Sequence, residues 1–304
     1  MLKGKSILGL QDMSKQDIIT ILDETKIMKK HLLKDEKAMD TLKGKSVVTL
    51  FYENSTRTRT SFENACKFLG ANVTSISVAT SSVNKGESLL DTGKTLDAMR
   101  TDLVVIRHSM SGAPAYLDKN INALVVNAGD GMHEHPTQAL LDMFTMREHF
   151  GKLEGLKVAI IGDIKHSRVA RSNIYGLQKF DAQIKLFAPN TLLPQGIQQL
   201  APVCESVEEA IAGSDVVMAL RIQLERQQKG LFPSVGEYVK FYGITEERLK
   251  LANDNAILMH PGPVNRNVEV DSACVDGEMS KINEQVLNGL AVRMALAKLM
   301  LKGE

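Results

Sequence analysis

At 304 residues the chain has room for two domains. Its apolar share of 43% and charged share of 24% are those of an ordinary globular chain. A net charge of +1, 5% aromatic residues and no tryptophan argue against a nucleic-acid partner, and no apolar run approaches the ~20 residues of a membrane helix. Cys66, Cys204 and Cys274 stand far apart, with neither metal-ligand nor redox spacing, and suit a reducing compartment. The stretch Met1-Leu2-Lys3-Gly4-Lys5 lacks the apolar core of a signal peptide, so the expected location is cytoplasmic.

In chain order, residues 1–44 read as helical, with Ile18, Ile19, Ile21 and Leu22 on an apolar face running toward Leu33. Residues 45–51 contain a buried strand, Val47-Val48-Thr49-Leu50-Phe51, followed by a turn rich in hydroxyls and arginine. Phe62, Ala65, Cys66 and Leu69 give residues 61–69 a helical pattern, and residues 72–78 a strand. Residues 80–88 form a polar loop, 88–99 a helix, 103–106 a strand ending at Arg107-His108, 113–120 a helix and 124–127 a strand. A glycine turn then precedes His133-Glu134-His135-Pro136-Thr137-Gln138 and a helix over 137–149. Strands at 156–161, 183–188, 216–220 and 256–259 continue the alternation, with helices at 166–179, 207–212, 245–252 and 285–301. The stretch 224–242, polar and glycine-bearing, reads as a mobile loop. Strands alternating with helices mean an α/β fold with parallel sheets. Two such series predict two Rossmann-like domains joined by the helix that begins at Thr137, with ligands in a cleft between them.

The chemistry gathers where strands end. Ser55-Thr56-Arg57-Thr58-Arg59 lies between a buried strand and a helix, where backbone amides are unpaired and the dipole is positive. Its hydroxyls and guanidiniums suit phosphate. Arg107, His135 and Gln138 add donors for a carbonyl, and Arg168, Arg221 and Gln223 in the second half suit carboxylates. His133 and His135 are two apart, without the i, i+4 spacing of a zinc helix or a third ligand, so no metal is expected. Residues 156–180 have the shape of a dinucleotide-binding βα unit but lack its glycine fingerprint, so no nucleotide cofactor is expected either. No side chain forms a nucleophile–base–orienter set; positioning and oxyanion stabilisation remain.

The Ser55-Thr56-Arg57-Thr58-Arg59 run resembles the carbamoyl-phosphate signature of the aspartate and ornithine carbamoyltransferases. Ser81…Lys85-Gly86-Glu87, Arg107-His108, His135-Pro136-Thr137-Gln138, Arg168, Arg221-Ile222-Gln223 and His260-Pro261-Gly262-Pro263 follow in the order and spacing of the aspartate enzymes' catalytic chains, over nearly the whole sequence. Ornithine enzymes instead carry His-Cys-Leu-Pro where His260 to Pro263 stand.

The resemblance implies carbamoyl transfer from carbamoyl phosphate to the α-amino group of L-aspartate, a step of pyrimidine biosynthesis, with no cofactor. It implies a carbamoyl-phosphate domain over 1–136 with a C-terminal helix, 285–304, packing back on it, and an aspartate domain over 137–284. Ser55, Thr56, Arg57, Thr58 and Arg107 would bind the phosphate. Ser81 and Lys85 would reach it from the neighbouring subunit of a homotrimer, and a higher assembly with regulatory chains stays open. Thr58, Arg107 and His135 would polarise the carbamoyl oxygen, so the catalytic set is Arg57, Thr58, Arg107 and His135. Gln138 and the Gly262–Pro263 turn, through the Pro263 carbonyl, would hold the carbamoyl amino group. Arg168, Arg221, Gln223 and Lys85 would hold the aspartate carboxylates. Glu53 resembles an interdomain acid that pairs with Arg168 and Arg226, and the Gly262–Pro263 bond is expected to be cis. The competing readings are a transcarbamoylase with another acceptor such as ornithine, a nucleotide-dependent oxidoreductase, and a non-catalytic anion-binding subunit.

Overall fold

The computed structural model describes residues 2–77, 86–222 and 234–303. The chain divides into two units: Met1–Leu141 with Leu287–Glu304, and Asp142–Val286.

In the first unit, helix α1 (Lys15–Leu33) is followed by β1 (Ser46–Phe51), α2 (Thr56–Phe68), β2 (Asn72–Ser77), α3 (Leu89–Ala98), β3 (Leu103–His108), α4 (Ala113–Asp118) and β4 (Leu124–Asp130). The four strands make one parallel sheet in the order β2-β1-β3-β4. Parallel strands covered on both faces read as unbroken apolar runs, which is why Val47–Phe51 and Leu103–Ile106 were legible. Val48, Leu50, Leu96, Val104, Ile106, Leu117 and Val125 pack into one core cluster of this unit. The end of the last helix, α11 (Ile282–Leu301), belongs here as expected. Met300 O accepts from Gly4 N at 3.0 Å, Lys298 Nζ donates to Glu24 at 2.8 Å, and Arg293 Nη1 donates to Ser61 Oγ at 2.9 Å, its guanidinium over the Phe62 ring.

The second unit takes up α5 (Pro136–Phe150) from Asp142 onward. It continues with β5 (Lys157–Ile161), α6 (Arg168–Gln178), β6 (Gln183–Phe187), α7 (Val207–Ile211), β7 (Val216–Ala219), α8 (Val235–Tyr242), α9 (Glu246–Leu249), β8 (Ile257–Met259) and α10 (Ser272–Asp276). Its sheet is again parallel, in the order β6-β5-β7-β8. Ala159, Ile161, Val217, Ala219, Leu258 and Val270 line its core. Both sheets therefore reverse strand order between their first and third strands. Neighbouring connections leave such a point in opposite directions and open a crevice at the carboxyl ends of the strands.

Three expectations need correction. Only Lys15–Leu33 of residues 1–44 is an α-helix, because Ser14 caps its start and the segment after Leu33 is polar. Helix α2 begins at Thr56, not Ser61, so the arginines lie in its first turns. Residues 235–242 are helical rather than loop. Ser234 Oγ accepts from Glu237 N at 3.1 Å, a Ser-x-x-Glu start, and Tyr238 anchors the helix in the core. The rest of that stretch, 223–233, lies outside the described residues.

Cys66, Cys204 and Cys274 are buried and unbridged. No helix among the described residues is long and apolar enough to cross a membrane.

Candidate functional site

In the first unit the switch point falls between β1 and β3. The residues that follow β1 turn into α2, with Ser55 extended at the cap position, φ −160° and ψ 92°. The Ser55 hydroxyl makes no capping bond, whereas Ser14, Ser88 and Ser167 each cap their own helix with the side chain. No acidic residue stands in the first turn of α2. The leading amides of α2 thus stand at the carboxyl end of β1, with no acid in the first turn to offset the positive end of the dipole. Thr56 and Arg57 are exposed there and Thr58 is buried. Arg59 turns away, 3.7 Å from Glu63 one turn along.

Arg107, the neighbour of Phe51 in the parallel register, is the last residue but one of β3, beside this turn. Its carbonyl accepts from Tyr52 N at 2.9 Å, and its Nε lies 3.3 Å from Glu53 Oε2, both side chains largely covered. Within this unit Glu53 thus pairs with Arg107; Arg226 lies outside the described residues. The His108 ring lies 4.5 Å from that of Tyr52, tilted by 48°, and its Nδ1 accepts from Met110 N; burial pulls its pKa down, against Glu53 and Asp130.

The loop after β4 delivers His135, which is 4% exposed, and Gln138, which is 8% exposed. Gln138 N and Ala139 N both donate to the His135 carbonyl, winding His135 onto the start of α5. Two buried carboxylates hold this loop, and neither was read from the sequence. Asp130 accepts from Gly112 N at 2.6 Å, Asn127 Nδ2 at 2.8 Å and Glu134 N at 3.1 Å, with His133 Nδ1 at 3.1 Å. Glu134 accepts from Leu10 N at 2.8 Å and Gln11 N at 3.3 Å. A short acid beside glycines was the available signal, but the same letters spell an ordinary turn. His133 turns to Asp130, and among the described residues no cluster suits a metal ion.

In the second unit the switch point falls between β5 and β7. Gly162 leaves β5 at φ +126°, and a Cβ there would sit 2.8 Å from Leu220 O, so only glycine lets the two strand ends approach. Buried Asp163 accepts from His166 N at 3.1 Å and faces its Nδ1 at 2.9 Å, shaping the turn into Ser167 and α6. Arg168, the first residue of α6, is buried at 6% exposure. Half-buried Arg221 follows β7, one strand over. After β8 comes the His260 turn. The Gly262–Pro263 bond is cis, as expected, and Gly262 sits at φ +65°, where glycine is favoured. The structure thus gathers Ser55, Thr56, Arg57, Thr58, Arg107, His135 and Gln138 at the strand ends of one unit, and Arg168, Arg221, Gly262 and Pro263 at those of the other. Ser81, Lys85 and Gln223 lie outside the described residues.

Comparison with known proteins agrees with this layout. Residues 5–148 match the family model described as aspartate/ornithine carbamoyltransferase, carbamoyl-P binding domain, and residues 154–300 the Asp/Orn binding domain of the same family. The aspartate carbamoyltransferase catalytic subunit of Acetivibrio thermocellus is 59% identical over 301 residues, covering 99% of this chain and 96% of the relative. That of Caldicellulosiruptor bescii is 59% identical, covering 99% and 98%. A crystal structure of aspartate transcarbamoylase from Trypanosoma cruzi, in complex with carbamoyl phosphate and aspartate, superposes with a TM-score of 0.88 at 33% identity, covering 99% of this chain and 98% of that one. The same enzyme in complex with carbamoyl aspartate and phosphate gives 0.88 at 32% identity, covering 99% and 97%. With both domain models matched in order and full-length relatives well above half identical, the chain belongs to the aspartate/ornithine carbamoyltransferase family.

Proposed function

We infer that this chain transfers the carbamoyl group of carbamoyl phosphate to the α-amino group of L-aspartate, giving N-carbamoyl-L-aspartate and phosphate. The observation that carries this reading is the full-length likeness, at 59% identity, to catalytic subunits of aspartate carbamoyltransferases. The uncapped start of α2 beside Arg107 agrees with a phosphate-bearing donor, and Arg168 with Arg221 agrees with a dicarboxylate acceptor.

On this reading residues 1–136 with 285–304 form the carbamoyl-phosphate domain and 137–284 the aspartate domain. Ser55, Thr56, Arg57, Thr58 and Arg107 hold the phosphate. Ser81 and Lys85 reach it from a second subunit of a homotrimer in the cytoplasm. Gln138 and the Pro263 carbonyl orient the carbamoyl amino group. Arg168, Arg221, Gln223 and Lys85 hold the aspartate carboxylates. The neutral amine attacks the carbamoyl carbon and a C–N bond forms. Thr58, Arg107 and His135 donate to the oxygen as negative charge develops on it. The C–O bond to phosphate then breaks, and the amine proton leaves with the phosphate. No covalent intermediate with the protein is needed; the rate comes from holding two substrates in register and from donors aimed at the oxyanion.

The test is ureido product from carbamoyl phosphate with L-aspartate, and L-ornithine in parallel. Product with aspartate alone, abolished in Arg57→Ala, is expected. Product with ornithine instead would overturn the acceptor, and no product with either would overturn the reaction.

A further inference from the structure

One buried carboxylate of the second unit takes no part in the chemistry above. Glu269 is 2% exposed, and a single oxygen of it, Oε1, receives two donors: Asn265 N at 2.6 Å and His260 Nε2 at 3.1 Å. The direction of the second bond is fixed by the other side of the ring. His260 Nδ1 accepts from Gly262 N at 2.8 Å, so the ring proton resides on Nε2 and is donated to Glu269. The side chain of Asn265 continues the chain of bonds outward, its Nδ2 donating to Ile222 O at 3.0 Å. The other carboxylate oxygen, Oε2, is buried and has no hydrogen-bond partner among the described residues. A desolvated, half-satisfied carboxylate costs stability, so its presence calls for a role beyond filling the core.

The two places joined by these bonds are the ends of neighbouring strands. β7 and β8 are paired through Met218 and Met259, and beyond them the backbones part. One leads to Arg221-Ile222, the other to the Gly262–Pro263 turn. We propose that Glu269 is a positioning residue which, through His260 on one side and Asn265 on the other, ties the Gly262–Pro263 turn to the Arg221–Ile222 segment and so sets the spacing between the groups that orient the carbamoyl amino group and those that clamp aspartate. This rests on the substrate reading above. A carboxylate suits the task because it is acceptor-only, and an ionised acceptor makes shorter and stronger bonds than an amide. The backbone of Glu269 is itself anchored, its carbonyl accepting from Ile244 N at 3.0 Å, so the hub is fixed independently of the loops it joins.

The test compares steady-state kinetics of the wild type with Glu269→Ala, Asn265→Ala, the double variant and Glu269→Gln. Asn265→Ala keeps the backbone bond to Glu269 and removes only the link to Ile222, so it stays informative should Glu269→Ala fail to fold. Either alanine variant is expected to raise the aspartate KM about tenfold, with the KM for carbamoyl phosphate within about twofold of the wild type. Since both cut one chain of bonds, the double variant is expected to be no more than about twofold worse than the more severe single one. Glu269→Gln, which keeps an acceptor oxygen in place, is expected to return to within about threefold of the wild type. An unchanged aspartate KM in Asn265→Ala, or effects that multiply in the double variant, would overturn the proposal. A wild type without product would instead remove the substrate reading. The tie would then be judged on backbone amide resonances: Glu269→Ala and Asn265→Ala are both expected to shift those of Ile222 and Gly262, and spectra unchanged at the two positions would count against it.

Discussion

At the scale of single residues, Arg107 and Thr58 illustrate how the local setting defines a role. Arg107 already lies 3.3 Å from Glu53, so its charge is partly balanced and its guanidinium is held in place rather than swinging in solvent. Arg107→Ala is expected to lower kcat/KM for carbamoyl phosphate by about 10²–10³-fold, the loss typical of a preorganised donor to an oxyanion, measured with aspartate saturating. Thr58→Ala, which removes one buried hydroxyl, is expected to lower kcat more than it raises either KM. These residues were legible because hydroxyls and guanidiniums at the end of an apolar run have few structural uses. Asp130, Glu134, Asn265 and Glu269 were not. A buried acid acquires its meaning from amides far away in the chain, such as Leu10 N on Glu134, and no local spacing encodes that partnership.

At the scale of elements, much of the support comes from carboxylates that collect loop amides. Asp130 gathers the amides of Gly112 and Glu134 and the side-chain amide of Asn127. Asp130→Ala would strand these donors and is expected to destabilise the fold by about 3 kcal/mol, read from denaturant melts, with activity falling as His135 loses its fixed approach. Asp97, near the end of α3, does the same for the turn into β4. Burial pushes its carboxyl up, but bonds from Asn122 N, Ala123 N and Asn122 Nδ2 outweigh that and hold its pKa below the usual aspartate range. A depressed folded-state pKa contributes stability above the unfolded value and loses it as the pH falls through the folded one. Asp97→Asn is therefore expected to flatten the loss of stability below about pH 4, seen by comparing urea midpoints of the two proteins across the acid range. The strands were predicted better than the helix starts. Apolar runs of four or five residues survive any cap, whereas α2 begins within a hydroxyl-rich stretch that reads equally well as a turn, and α8 begins at a Ser-x-x-Glu hidden in a polar segment.

At the scale of the whole molecule, one topology occurs twice. Each unit arranges four parallel strands so that the chain reverses direction of travel between its first and third strands, and Arg107 in one unit and Arg168 and Arg221 in the other come at the ends of the strands that flank that reversal. This much follows from alternating apolar and amphipathic segments, because parallel strands require crossover helices and short connections leave few arrangements. The number of subunits does not follow from such patterns. It is tested by mixing two inactive variants, Lys85→Ala and His135→Ala. If Lys85 serves a neighbouring subunit, refolding the two together is expected to restore activity that neither has alone. A mixture as inactive as its parts would count against shared sites.

The three buried cysteines give the protein a set of internal clocks. Burial pushes the Cys66 thiol up to about 12 and that of Cys274 to about 11, and raises Cys204 as well, so none carries appreciable thiolate near neutral pH while the fold is closed. A thiol reagent can then label each only in molecules that have opened around it. Cys66 reports on the first unit, Cys204 and Cys274 on the second. Labelling rates followed by mass spectrometry would show whether the two halves open together or one at a time, without adding a probe to the chain.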